Sequence, residues 1–138
     1  MLSIEELPMV AKASMNQTHY EEVEQINTII ELLKSGRLDD VGAKLEALVT
    51  HTQEHFSGEE KMMQEAKFPP FPFHKGEHDK ALTELLSMQK MWEETKDIEK
   101  LLFYLDSTVP QWLLNHIQTM DTMTAVFLET GVSPCSIG

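Results

Sequence analysis

The chain has 138 residues, 41% of them hydrophobic, with six Gly and six Pro, which suits one folded domain and excludes a disordered or fibrous repeat. Eleven Lys plus Arg against 23 Asp plus Glu give a formal charge of −12, the wrong sign for a nucleic-acid backbone or an anionic membrane surface. Residues 1–12 are acidic and lack a basic stretch followed by an apolar one, and no run of about 18 apolar residues occurs, so a soluble cytoplasmic protein is expected.

The first periodic segment places Met15, His19, Val23, Ile26, Ile30 and Leu33 on one stripe of an amphipathic helix, with His19 turned inward. Ser35-Gly36 closes it, and Asp39 or Asp40 can start the next helix. A second stripe runs Val41, Leu45, Leu48, Thr52, His55, Glu59, Met62 and Ala66, turning polar halfway. Phe68-Pro69-Pro70-Phe71-Pro72 stops it, since prolines lack the amide donor and push their predecessors out of helical geometry.

The third stripe takes His74, His78, Leu82, Leu85, Met88 and Trp92, and tolerates Gly76 at a cost of roughly 1 kcal/mol. A fourth reads Ile98, Leu102, Leu105, Val109, Trp112 or Leu113, His116, Met120, Met123 and Phe127, with Pro110 expected to kink or split it. No strand pattern or internal repeat competes. The fold class is therefore all-α: an antiparallel up-down-up-down four-helix bundle forming a single domain over 1–138, with its core at about 10–130 and a short tail over 131–138. Cys135, alone in that tail, forms no internal disulfide and reads as an incidental thiol.

His19, His55, His74, His78 and His116 all fall on seams, one or two per helix, together with Glu59. A buried carboxylate needs a partner, and residues four apart lie one turn above each other, so His55 with Glu59, and His74 with His78, each aim two donors at one point. His116 and Asp121 are five apart, about 140° around an α-helix, so periodicity alone does not select Asp121. Imidazole with carboxylate suits iron, zinc, manganese or copper, and a core without cysteine removes iron–sulfur and thiolate-zinc sites. Seven donors exceed one tetrahedral ion, so two carboxylate-bridged metals with about one open position are the economical arrangement.

These residues, His19, then His55-Phe-Ser-Gly-Glu59-Glu60, His74-Lys-Gly-Glu-His78 and Trp112-Leu-Leu-Asn-His116-Ile with Asp121, resemble the hemerythrins over roughly residues 15–130. The resemblance implies two iron ions bridged by Glu59, Asp121 and a solvent oxygen, with His74, His78 and His116 on one iron and His19 and His55 on the other. It implies dioxygen binding at the second iron, for storage, delivery or sensing, with a reductase or signalling partner acting in trans. The alternative is a di-iron enzyme acting on peroxide, nitric oxide or O2. Leu113 is a candidate wall of the O2 pocket, and Phe56 and Trp112 read as packing residues. His51 falls outside the family set and reads as a seam-edge residue, and the nine methionines read as core filler. The sequence departs from the family at the first ligand, where Asp-x-x-His is replaced by Asn16-Gln17-Thr18-His19, and in lacking the tryptophan often found upstream.

Overall fold

The structure is a computed structural model that describes residues 9–10 and 12–130; the tail with Cys135 lies outside the described residues. Three long helices, α1 (Ala13–Ser35), α2 (Val41–Glu65) and α3 (Phe71–Thr95), precede a fourth segment of three consecutive helices, α4 (Ile98–Phe103), α5 (Val109–His116) and α6 (Thr122–Thr130). Single π-helical turns, Tyr104–Thr108 and Ile117–Asp121, join the last three without a break, so the whole is a four-helix bundle. None of the described helices is long and apolar enough to cross a membrane.

Each turn is fixed by local backbone chemistry. Gly36 takes φ +76°, and the amides of Gly36 and Arg37 return to the carbonyls of Leu33 and Leu32, closing α1 as a Schellman motif. A short 3₁₀ turn, Leu38–Asp40, then leads into α2; Asp40 stands at the N-cap, but neither it nor Asp39 caps through its side chain. The end of α2 repeats the Schellman pattern with Lys67 at φ 56°, and Phe68 is buried behind it against Phe127. The proline break is shorter than the sequence suggests. Phe71 and Pro72 already belong to the first turn of α3, where a missing amide costs nothing because that N–H has no helical partner. Asp97 Oδ1 accepts from the Lys100 amide at 3.1 Å and starts α4.

The stripes of α1 and α3 are buried as their periodicity requires, apart from Leu82 and Met88, which are half-buried. In α2, Met63 is the buried residue, whereas Met62 is half-buried and Ala66 exposed. The fourth segment departs most. Its seam runs Leu101, Leu105, Val109, Leu113, Ile117, Asp121 and Ala125, in constant steps of four, while Leu102, Met120, Met123 and Phe127 lie at its margins. At about 100° per residue, such a stripe would wander about 240° around a regular α-helix. Each π-turn accommodates one extra residue, and with two of them the drift falls to about 40°.

Pro110 sits in the first turn of α5, directly after the first π-turn, where the Val109 amide reaches back five residues to the Tyr104 carbonyl. The widened turn relieves the clash a proline ring makes with the carbonyl four residues earlier, so the helix continues through it.

The apolar core fills the half of the bundle nearer the α1–α2 turn, where Ile30, Leu33, Leu45, Trp92, Leu101 and Leu105 pack together. A smaller cluster, Val10, Met15, Val23, Leu113, Ile117 and Ala125, packs in the other half. Asn16 pins the chain there, its Oδ1 accepting from the Val10 amide and its Nδ2 donating to the Val10 carbonyl, both at 2.9 Å. Asn16, which stands where the hemerythrin pattern has aspartate, thus ties Val10 back to the start of α1.

Candidate metal centre

The polar half of each seam meets in one buried cluster. His19 comes from α1, His55 and Glu59 from α2, His74 and His78 from α3, His116 from α5 and Asp121 from the end of the second π-turn. All seven side chains are at most 5% exposed. Donor atoms of Glu59, His74, His78, His116 and Asp121 lie within 4.8 Å of one another, as do those of His19, His55 and Glu59.

The two carboxylates divide their oxygens between these groups. Glu59 Oε1 lies 3.3 Å from the Nε2 atoms of both His74 and His78, and its Oε2 lies 2.5 Å from His55 Nε2. Asp121 Oδ1 lies 3.1 Å from His74 Nε2 and 3.2 Å from His116 Nε2, and its Oδ2 lies 3.0 Å from His19 Nε2. Asp121 reaches this position through the π-turn. The Thr122 amide bonds back five residues to the Ile117 carbonyl, and Thr122 Oγ1 donates to the same oxygen at 2.7 Å. A turn closed over five residues brings residues five apart onto one face, as α-geometry does for residues four apart.

The Nδ1 sides of three imidazoles are tied back. His55 donates to Glu22 Oε2 at 2.8 Å, His78 to Glu60 Oε2 at 3.0 Å, and His74 to Thr124 Oγ1 at 2.7 Å; that hydroxyl in turn donates to the Met120 carbonyl. A proton committed to Nδ1 leaves Nε2 as a lone pair facing the cluster. Glu22, Glu60 and Thr124 escape sequence reasoning. Glu22 could have been found as a buried carboxylate on the α1 seam one turn after His19, whereas nothing in the sequence marks Thr124.

This arrangement fits cations. Glu59 Oε1, His78 Nε2 and Asp121 Oδ1 are buried and make no hydrogen bond, although all three point into the cluster. His74 Nε2 and His116 Nε2 face each other at 3.1 Å, a contact that needs a proton on one of the two nitrogens or a cation near both. Burial alone pushes Glu22 and Asp121 up and His55 and His74 down. The opposite charges beside them prevail, holding Glu22 below and Asp121 well below the usual carboxylate range. His55 is raised well above its ordinary value and His74 to about 9.

His51 stays at the edge, 3.3 Å from the exposed Glu21. Leu113 is buried and lines a cavity of about 40 Å³ with Glu22, Ile26, Phe56 and Trp112, which places it one layer outside the imidazoles. Phe56 and Trp112 pack on the histidines themselves. Phe56 stacks on His78 at 3.9 Å between ring centres, and Trp112 on His116 at 4.5 Å.

Comparison with known proteins gives a consistent picture. The family model described as "Hemerythrin HHE cation binding domain" matches residues 12–125. A bacteriohemerythrin of Aquifex aeolicus is 27% identical over 116 residues, covering 84% of this chain and 88% of its own. A myohemerythrin of Sipunculus nudus is 37% identical over 79 residues, covering 57% and 58%. A crystal structure of wild-type hemerythrin superposes with a TM-score of 0.79 at 24% identity, covering 94% of this chain and 98% of that one.

Proposed function

The chain belongs to the hemerythrin family, and on that premise we propose that it holds two iron ions and binds dioxygen reversibly, for storage, delivery or sensing. Its relatives are di-iron oxygen-binding proteins, and the cluster of histidine, glutamate and aspartate suits a metal site. The observation that carries the two-ion reading is the division of Glu59 and Asp121, each turning one oxygen to the three-histidine group and the other to the two-histidine group. A chelating carboxylate on a single ion would not separate its oxygens in this way. In this reading His74, His78 and His116 hold one ion, His19 and His55 hold the other, and Glu59 and Asp121 bridge them.

Charge supports the same count. Glu22, Glu59, Glu60 and Asp121 bring four negative charges to or beside the cluster, and two divalent cations offset them where burial would otherwise be costly. Three histidines are oriented from behind by Glu22, Thr124 and Glu60. Leu113 and Phe56 give a mostly apolar lining to the cavity next to the imidazole layer, which Glu22 and Thr52 also border, and that lining supports a role for Leu113 in limiting water near the centre. When loaded, the iron pair supplies the two electrons with which dioxygen is bound and released.

The test is anaerobic reduction of the iron-loaded protein followed by air, watched by visible absorption, with His55→Ala as the control. A long-lived coloured complex that disappears under vacuum is expected; no reversible band would defeat the carrier reading, and turnover of added peroxide would favour an enzyme.

Metal uptake is expected to depend on pH. In the metal-free chain His74 is raised to about 9 and His55 also lies well above its usual value, so both carry protons at neutral pH. A group raised on folding stabilises the metal-free fold fully below its unfolded pKa, and that contribution is lost as pH rises through the folded value near 9. Metal needs the neutral ring, so apparent affinity should climb from pH 6 towards 9, with roughly two protons released per chain at neutral pH. Titration with metal in weakly buffered indicator solution measures this; uptake without proton release would contradict it.

A further inference from the structure

The five histidines of the cluster are not held alike. His55, His74 and His78 each have Nδ1 tied to Glu22, Thr124 or Glu60, whereas Nδ1 of His19 and of His116 is buried with no hydrogen-bond partner, and of these two only His116 has an aromatic ring stacked on it. An imidazole on a single hydrogen-bonding side can still pivot about its Cβ–Cγ bond, and a ligand nitrogen that swings leaves its metal. What His116 has in place of an acceptor is a flat neighbour. Trp112, one turn earlier on α5, lies parallel to it, with ring centres 4.5 Å apart and planes within 13°.

We propose that Trp112 is a positioning residue that fixes the ring plane of His116 by stacking, doing for this histidine what an Nδ1 hydrogen bond does for His55, His74 and His78. The proposal rests on the di-iron reading above and extends it to a residue outside the ligand set. Two observations separate it from ordinary packing. The seam position on this turn belongs to Leu113, which is 1% exposed, while Trp112 is only half-buried, packing on the smaller apolar cluster from its margin and stacking on His116. Trp112 also has an aromatic neighbour: the ring centre of Phe56 lies 6.2 Å away, and Phe56 is itself stacked on His78 at 3.9 Å with planes within 1°. The result is an aromatic clamp over two of the three imidazoles in that group. A flat ring resists rotation of the imidazole it covers, and its electron-rich face favours an imidazole that has become partly cationic on binding a metal.

Cobalt(II) is the probe, because its visible absorption reports the geometry of its ligands. It is titrated into metal-free full-length chain, and its release to excess chelator is then timed, for the parent and for Trp112→Leu and Trp112→Phe. Trp112→Leu is expected to release cobalt about tenfold faster and to alter the band, in line with the loss seen when a metal ligand loses its outer support. Trp112→Phe, which restores a flat ring, is expected to recover both, and the melting temperatures of the metal-free forms should stay close to the parent's. Should the leucine variant fail to fold, Trp112→Met, which fills volume without a plane, takes its place. A leucine or methionine variant with parental band and release rate, or a phenylalanine variant as impaired as leucine, overturns the positioning role while leaving the metal centre standing. A parent chain that takes up neither cobalt nor iron overturns both.

Discussion

Replacing Glu59 with alanine is expected to empty the centre and to destabilise the bundle. Glu59, like Asp121, has contacts in both donor groups through separate oxygens, to His55 on one side and to His74 and His78 on the other, so its loss removes a ligand from each proposed ion at once. The metal-free fold suffers too. Glu59 lies well below the ordinary carboxylate range although burial and the nearby Asp121 both push it up, because the histidines around it favour the anion. Taking that anion away leaves raised, partly protonated histidines buried with less compensation, a change that typically costs about 3–5 kcal/mol. Elemental analysis should find iron lost, and thermal melts of the metal-free forms should fall by about 10 °C. Glu59→Gln, which keeps the shape and one oxygen, separates volume from charge. Iron content equal to the parent's in the alanine variant would contradict the bridging role.

Much of this centre was legible because one periodicity served both core and chemistry. His19 occupies the same stripe as Val23 and Ile26, and His74 and His78 the same stripe as Leu85 and Trp92, so burial of the apolar residues carried the donors inward with them. Five histidines on four seams are hard to reconcile with surface positions. What the pattern could not supply was anything that depends on one helix's rotation against another. Glu22 reaches His55 across the α1–α2 interface, Glu60 reaches His78 across α2–α3, and Thr124 reaches His74 from α6. Those pairings are 18 to 50 residues apart in sequence and leave no local signature.

Asp121 was legible in a different way. It entered through the resemblance to the hemerythrins, because a five-residue spacing from His116 contradicts α-helical phase. The information was nevertheless present in the chain: from Leu101 to Ala125 apolar or buried positions recur every four residues, a period no regular α-helix keeps on one face. Reading the fourth helix with the 3–4 alternation of the other three concealed it. A sustained period of four marks inserted residues, and the structure absorbs them in the π-turns Tyr104–Thr108 and Ile117–Asp121.

If the second π-turn is one inserted residue, removing that residue should be tolerated where deletion from a helix is normally ruinous. Deleting the exposed Thr119 would let Ile117–Asp121 close into an α-turn. His116 and Asp121 would then stand four apart, the spacing of His55 with Glu59 and of His74 with His78, and every residue beyond would keep its face. Metal content should remain at the parent's level and stability within about 1 kcal/mol, the usual range for changes that leave packing alone. Deleting the equally exposed Glu54 from α2 is the contrast. No π-turn lies in α2 to take up the slack, so one side of the deletion must rotate by about 100°, swinging either His55 and Glu59 or Leu45 and Leu48 off the seam. That variant should lose its metal and unfold at a temperature lower by 10 °C or more, since several fully buried side chains would be exposed together at about 1.5–3 kcal/mol each. Iron analysis and thermal melts of the two deletions decide the matter. Should loss of Thr119 cost as much as loss of Glu54, the π-turn would be setting more than the phase of Asp121, and its width would itself be part of the metal site.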